Sequence, residues 1–418
     1  MKLTLAIFLF TIMLAPLAMG QERSSNDEFV DWLKEQSQEK DSATPTWKPL
    51  FGLRLRQEYL QNVFYFDENN DSRNWLRLRT RLGLQWNRGN HRVEVRAANE
   101  FRDIYEPDIR WIPLDEVILD RAAWTWGTDP EGPYTLIIGR QDIIWDDGFL
   151  MLEGHPLDGS RSIYHNAVRM QFRDNRGEFE VLGITGQQVD DYVLAGDENT
   201  ERLLSDNDET AVAFRYKHNS GKAMSLIWKK ESLVERPYWD WCNVTFGLRL
   251  PWRTWIAEGA IQRNSSAEWA YAFQFRGSAN LYAGGRGEVG YFHYSGESEN
   301  SAAFKTPYGR WPKWSELYLY TLIGEAGPAA WQNIAGAHLH MHQEISDELG
   351  LRFSAYYLSA LEPEWTSRGI LLQSEIKYEY NSWISTHFLW EYLQPNEDFA
   401  TAPENAHFLR WEINFDYK

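Results

Sequence analysis

Residues 75–82 read WLRLRTRL. Arg77, Arg79 and Arg81 stand at every second position, and tryptophan, leucine and threonine supply the rest. A period of two is that of a β-strand, whose successive side chains point to opposite faces. Leu76, Leu78 and Leu82 then line one face, with Thr80 between them, and the three arginines line the other. The chain carries a formal net charge of −18. A row of arginines through an apolar segment of so acidic a chain implies a different solvent on each side.

The alternation recurs along the chain. Leu53 and Leu55 oppose Arg54, Arg56 and Glu58; Val93, Val95, Ala97 and Phe101 oppose Arg92, Glu94, Arg96, Glu100 and Arg102. Cys242, Val244, Phe246, Leu248 and Leu250 oppose Asn243, Thr245 and Arg249, and Leu409, Trp411, Ile413, Phe415 and Tyr417 oppose Phe408, Arg410, Glu412, Asn414 and Asp416. Such segments lie near 48–60, 74–86, 91–102, 115–126, 133–143, 163–172, 178–188, 208–217, 222–230, 241–250, 253–262, 267–277, 280–292, 330–343, 348–358, 370–380, 383–393 and 406–416. That makes eighteen strands, with sixteen as the alternative.

Tight links such as Asn87–Asn90, Asp174–Gly177, His218–Gly221 and Asn381–Ser382 interleave with long polar ones at 61–73, 103–114, 144–162, 189–207, 293–329, 359–369 and 394–405. Short turns at one end and long loops at the other are the habit of a transmembrane meander. The short link 263–266 falls at the long-loop end. Trp314–Ile323 is strand-like in composition, but a nineteenth strand would break the even count of bacterial barrels. It is placed within the link 293–329, folded over or into the mouth.

Aromatic residues form 15% of the chain, with 21 each of Trp, Tyr and Phe. Trp75, Trp86, Trp124, Trp126, Trp239, Trp252, Trp383 and Trp390 are read as interfacial girdles. The start, MKLTLAIFLFTIMLAPLAMGQE, has the charge, apolar run and small residues of a secretory signal ending near Gly20. Cys242 is the only cysteine, so disulfides are excluded despite export. The expected organisation is a signal peptide at 1–20, a polar periplasmic extension at 21–47 and one domain at 48–418. The fold class is all-β: a transmembrane antiparallel up-and-down β-barrel in the cell outer membrane. An aromatic residue near the end, Tyr417 or Phe415, would serve the outer-membrane assembly machinery.

Charge on the inner face is tolerable only where water or counter-charge fills the space. Arg54, Arg56, Arg77, Arg79, Arg81, Arg92, Arg96 and Arg102 fall on the first three strands, Arg140 on the fifth, and Arg169 and Arg173 on the sixth. These are the expected pore-lining, substrate-binding residues. A guanidinium fork donates two parallel hydrogen bonds to a carboxylate. A row spaced roughly 6.7 Å apart offers successive weak holds to a polyanion. The bland counterpart is an arginine–carboxylate lattice through Glu58, Glu94 and Glu100 that stiffens the wall.

The stretch 115–173, with LDRAAWTW, YTLIIGRQDIIWDDGFLM and GSRSIYHNAVRMQFR, resembles the alginate-export family of outer-membrane barrels. Asp120, Ala122 and Trp124 match its aspartate–alanine–aromatic strand, and Gly139, Arg140 and Gln141 its glycine–arginine–glutamine strand. Asp147, Gly148, Arg161 and Asn166 fall in the loop region, Arg169 follows, and RWPKWSELYLYT with WQNI at 331–334 adds to the likeness. The resemblance spans roughly 48–418. It implies an eighteen-stranded channel with an arginine-rich constriction, partly covered by loops, for acidic sugars or polysaccharides such as alginate.

Other constellations carry less. HLHMH places His338, His340 and His342 on one strand face, but no third ligand is identifiable, and a metal or cofactor is not expected. His165-Asn166 lies near Ser160 and Ser162 without a nucleophile elbow, so no catalytic site is assigned. The acidic run 196–209 lacks the regular ligand spacing of a calcium loop. Membrane lipid and acidic solutes are the expected partners, and nucleic acid is not. The alternative is a non-conducting surface barrel whose external loops bind a partner.

Overall fold

A computed structural model describes residues 44–64, 72–107, 110–112, 117–129, 132–153, 165–196, 207–232, 240–299, 301–308, 314–318, 332–397 and 404–417. The expected signal peptide, nearly all of the extension, Trp239, Ser160 and Ser162 lie outside them. Eighteen strands build the wall. They are β1 (Thr46–Gln61), β2 (Ser72–Arg88), β3 (His91–Glu106), β4 (Val117–Trp126), β5 (Tyr134–Gln141), β6 (His165–Arg173), β7 (Gly177–Gly186), β8 (Asp208–His218) and β9 (Ala223–Ser232). The second half holds β10 (Asp240–Trp252), β11 (Trp255–Asn264), β12 (Trp269–Asn280), β13 (Arg286–Tyr294), β14 (Ile334–Glu344), β15 (Leu349–Ala360), β16 (Thr366–Asn381), β17 (Ile384–Pro395) and β18 (Ala406–Tyr417).

Each strand pairs antiparallel with its sequence neighbours. β1 also pairs with β18, from Phe51↔Tyr417 to Gln61↔His407, which closes the barrel. Closure joins the two end strands, so backbone pairing runs around the wall as a lipid environment demands, with residues 193–195 of a loop pairing the upper part of β4 at Val117 and Ile118. The expected strand near 280–292 begins later than its alternation implied. Tyr282–Gly284 forms a 3-10 turn, with Leu281 donating its N–H to the Gly285 carbonyl at 2.7 Å and Gly284 at φ +79.

The outer face carries Leu82, Leu84, Met224, Leu226, Val244, Phe246, Leu248, Phe273, Leu339, Phe353 and Phe388 in exposed positions. Trp47, Trp252, Trp383 and Tyr417 ring the short-turn end. This apolar band with an aromatic rim is the surface of an outer-membrane barrel. No described helix is long and apolar enough to cross a membrane. Two turns at the opposite rim from the long loops show how that end is made tight. Asp174 Oδ1 accepts from the N–H groups of Arg176 and Gly177 at 2.8 and 2.9 Å, and Asn381 Oδ1 from Trp383 and Ile384, both at 2.9 Å.

The interior is filled, and unequally. The inner face of β8 to β12 is built from small buried residues: Ala211, Ala213, Ala223, Gly247, Ala260, Ala270 and Ala272. Their space is taken by segments that leave the wall, 142–153, 301–308 and 314–318. Ile143, Trp145, Phe149, Leu150, Met151, Phe304, Tyr308, Leu317 and Tyr318 are buried there. A Cβ on Gly247 would stand 2.4 Å from Leu150 Cδ1, so the wall is shaped to the segment lying on it. The inner face of β1 to β3 carries long cationic side chains instead.

Candidate functional site: an arginine wall and an internal strap

β1, β2 and β3 bring arginines into register. Arg54 lies opposite Arg79, Arg56 opposite Arg77, and Arg77 opposite Arg102. Arg54, Arg56, Arg77, Arg79 and Arg81 are buried on the inner face, while Leu82 is 62% exposed on the outer. Carboxylates interleave with them. Glu58, itself fully buried, accepts from Arg56 Nη1 at 3.4 Å and stands 3.1 Å from Arg77 Nε. Glu412 reaches Arg56 Nε at 2.5 Å, and Asp120 lies 3.1 Å from Arg81 Nε and 2.8 Å from Arg96 Nε.

Trp75 corrects the girdle expectation. It sits at an odd position with the arginines, is 6% exposed, and donates its indole N–H to Glu58 Oε2 at 2.6 Å. Arg102 stacks on its ring at 4.7 Å, and Arg77 at 5.3 Å. An indole here supplies one donor and a π face between guanidiniums.

The remaining expected residues divide. Arg92 donates to Asn87 Oδ1 at 3.3 Å near the short-turn end. Arg169 pairs with Glu180 at 2.7 Å and Arg173 with Glu178 at 2.7 Å. Arg140 is drawn into the joint where β5 leaves the wall. It grips Asp190 at 2.7 and 3.3 Å, donates to the Leu119 carbonyl at 2.8 Å and stacks on Tyr192 at 4.4 Å. Gly139 beside it has φ +120, and a Cβ would stand 2.1 Å from the Ala122 carbonyl. The residues that carried the family resemblance, Asp120, Gly139, Arg140 and Gln141, thus hold the wall together; Gln141 Nε2 donates to the Ala167 carbonyl at 3.1 Å.

Residues 142–153 form an internal strap along the wall. Asp142 pairs with Arg121 of β4 at 3.0 Å, and the Trp145 indole donates to Glu180 of β7. Asp146 then takes Arg215 and, at 2.8 Å, Lys217, both of β8. Asp147 takes Arg249 of β10 at 2.7 Å and Arg276 of β12. Burial raises both Asp146 and Asp147. The Lys217 hydrogen bond and Arg215 charge outweigh it for Asp146, as do Arg276 and Arg249 for Asp147, so both lie below the ordinary carboxylate range. The sequence places Arg249 on a polar face but carries no local signal of the strap, whose partners lie on strands distant from it in the chain.

Two further segments complete the filling. Residues 301–308 run beside the strap, with Tyr308 N–H donating to the Leu150 carbonyl at 3.1 Å and Leu152 N–H to the Tyr308 carbonyl at 2.6 Å. Lys229 anchors them through the Pro307 carbonyl at 3.1 Å and Glu209 at 2.9 Å. Trp314–Tyr318 turns into the lumen, where Glu391 accepts from Ser315 Oγ at 2.8 Å and Leu317 N–H at 2.7 Å. The described part of the expected mouth segment is therefore inside the barrel and is not a wall strand. His338, His340 and His342 share the inner face of β14, and Glu288 of β13 lies beside the first two. Of the other tempting groups, His165 is buried edge-on against Tyr308 at 4.7 Å, and Glu209, at the end of the acidic run, is the Lys229 partner.

The wall, strap and exterior define the class: an eighteen-stranded outer-membrane β-barrel with its lumen narrowed by inward-folded loops. No family model matches the chain, and no curated protein matches it. Solved structures do. Outer membrane protein OpdK from Pseudomonas aeruginosa matches at TM-score 0.52 and 10% identity, over 88% of this chain and 99% of that one. OccK2 (OpdF) of the same organism, in complex with glucuronate, matches at TM-score 0.53 and 10% identity, over 88% and 96%. OpdK with vanillate gives TM-score 0.53 and 11% identity, over 88% and 98%. At this identity the likeness is one of fold. It establishes the barrel type and leaves the alginate-export resemblance without added support.

Proposed function

We propose that this barrel is a channel for passive passage of small anionic solutes across the outer membrane. The observation that carries the reading is the cross-strand opposition of Arg54 with Arg79 and of Arg56, Arg77 and Arg102. Like charges directly opposite one another destabilise a sheet. Repeated at successive levels of one wall, they form a device that concentrates counter-ions in a confined lumen. Arg54, Arg56, Arg77, Arg79, Arg81, Arg92, Arg96, Arg102, Arg140, Arg169 and Arg173 are the proposed set, with the first three strands carrying selectivity and Arg140 a positioning residue.

The substrate class is acidic sugars and their oligomers. Glucuronate in OccK2 and vanillate in OpdK are both carboxylates, which a guanidinium fork recognises. Alginate, a polymer of uronates, is the finer form of the proposal and rests on the family resemblance. Export of residues 1–20 as a signal, a periplasmic extension to residue 47, and insertion by the outer-membrane assembly machinery through the last strand belong to the same reading. A second reading has support of its own: the strap and segments 301–308 and 314–318 occupy the lumen, as a non-conducting surface barrel would have them.

Single-channel recording in planar bilayers separates the two. Expected is a small anion-selective conductance, blocked by uronate oligomers and turned non-selective in the triple variant Arg77→Gln, Arg79→Gln, Arg81→Gln. A folded, inserted barrel with no current above leak overturns the channel reading in favour of the second.

A further inference from the structure

We propose that Glu288, His338 and His340 form a site for one divalent transition-metal ion on the lumen face of β13 and β14. The proposal does not rest on conduction. His338 and His340 stand two residues apart on one strand face, and the register sets Glu288 directly across from His340 and Gly290 across from His338. Glu288 Oε1 lies 3.7 Å from His338 Nε2 and 3.5 Å from His340 Nδ1, and the donor atoms of all three lie within 4.8 Å of one another. Metal–ligand bonds of about 2.0–2.1 Å in a tetrahedral site place donors roughly 3.4 Å apart. Two edges of the triad are already near that, and imidazole rotation closes the third.

Both ring nitrogens of His338 are shielded from solvent and lie beyond direct hydrogen-bonding distance of any neighbour, with Glu288 Oε1 facing Nε2 at 3.7 Å. Buried polar atoms so loosely satisfied are costly, and an ion drawn between Nε2 and Oε1 satisfies both. The ring is also given room: a Cβ on Gly290 would stand 2.4 Å from His338 Cε1 and 2.5 Å from its Nε2. Tyr356 Oη lies 2.8 Å from His340 Nε2. With Nε2–H donating there, the lone pair sits on Nδ1 and faces Glu288, which is how an outer partner fixes a ligating tautomer. Arg276 Nε is 3.8 Å from the other oxygen of Glu288, leaving Oε1 for the ion.

Two imidazoles and a carboxylate suit zinc, iron, nickel or copper and not calcium or magnesium, which take oxygen donors. Three protein ligands leave at least one coordination position open toward the lumen. His342 is outside the set, half exposed and 3.8 Å from Glu344.

The full-length barrel in detergent, treated with chelator, is titrated with Zn²⁺ by calorimetry and with Cu²⁺ by electron paramagnetic resonance. One equivalent of Zn²⁺ is expected, together with a Cu²⁺ spectrum split by two nitrogens. His338→Ala, His340→Ala and Glu288→Gln should each weaken binding roughly 100-fold or more, Tyr356→Phe about 10-fold, and His342→Ala not at all. Heat-modifiable gel mobility reports whether each variant is folded, and the wild-type spectrum decides alone if one is not. Substoichiometric binding, a spectrum without two nitrogens, or affinity unchanged in folded His338→Ala overturns the site.

Discussion

Set between Arg56 and Arg77, with the Trp75 indole donating to it, the fully buried Glu58 balances two guanidiniums of the inner face. Removing one member of a buried ion pair leaves an uncompensated charge, which costs about 3–5 kcal/mol. Glu58→Gln should lower the unfolding free energy of the refolded barrel by about that amount in urea titration. A loss below about 1 kcal/mol would mean that the arginines find other partners without strain. Single residues also show where alternation was misread. Trp75 belongs by parity to the arginine face; its aromatic character drew it to the girdle. Glu288 was not recognisable as the third donor because register, and not spacing along the chain, puts it beside His338 and His340.

The strap works as an element. Its carboxylates bind one cation after another around the wall, from Arg121 on β4 to Arg276 on β12. Asp146 and Asp147 are depressed below the free carboxylate value. Their contribution is therefore complete above the unfolded Asp pKa of roughly 3.9 and is lost as pH falls through the lower folded values. Burial raises Asp142 above the ordinary carboxylate value despite Arg121, so its contact is lost first as pH falls, and conductance should rise and grow noisy at lower pH still, when Asp146 and Asp147 let go. The double variant Asp146→Asn, Asp147→Asn should show the larger, noisier state at neutral pH. A variant indistinguishable from wild type in bilayer recordings would assign strap placement to Trp145, Phe149 and Leu150 packing alone. Nothing along residues 142–153 announces this path, because its partners are spread over five strands.

For the whole molecule, lipid and lumen impose opposite demands on alternate residues. Phe246, mid-strand on β10 and 41% exposed, faces lipid. Phe246→Arg should destabilise the membrane-inserted barrel by about 2–4 kcal/mol, measured by reversible unfolding from vesicles. The same change measured in detergent should cost less, since a micelle admits water to the side chain. Equal losses in both media would place this face away from the hydrocarbon core.

Local pattern dictates the barrel: a period of two over eighteen segments, alternating short and long links, and apolar residues set against charged ones leave few other folds. It also determined which strands carry arginine, since parity along a strand is a local property. Closure through β1 and β18 is a property of the topology, seen in their pairing. What occupies the lumen was decided only in three dimensions. Ion pairs such as Arg56–Glu412, Arg140–Asp190 and Arg276–Asp147 join residues far apart in the chain. The alanines of β8 to β12 acquire meaning only once the strap lies on them. Side-chain direction is written in neighbouring residues; the identity of the group a side chain meets across a closed barrel depends on register and curvature, which are properties of the assembled wall.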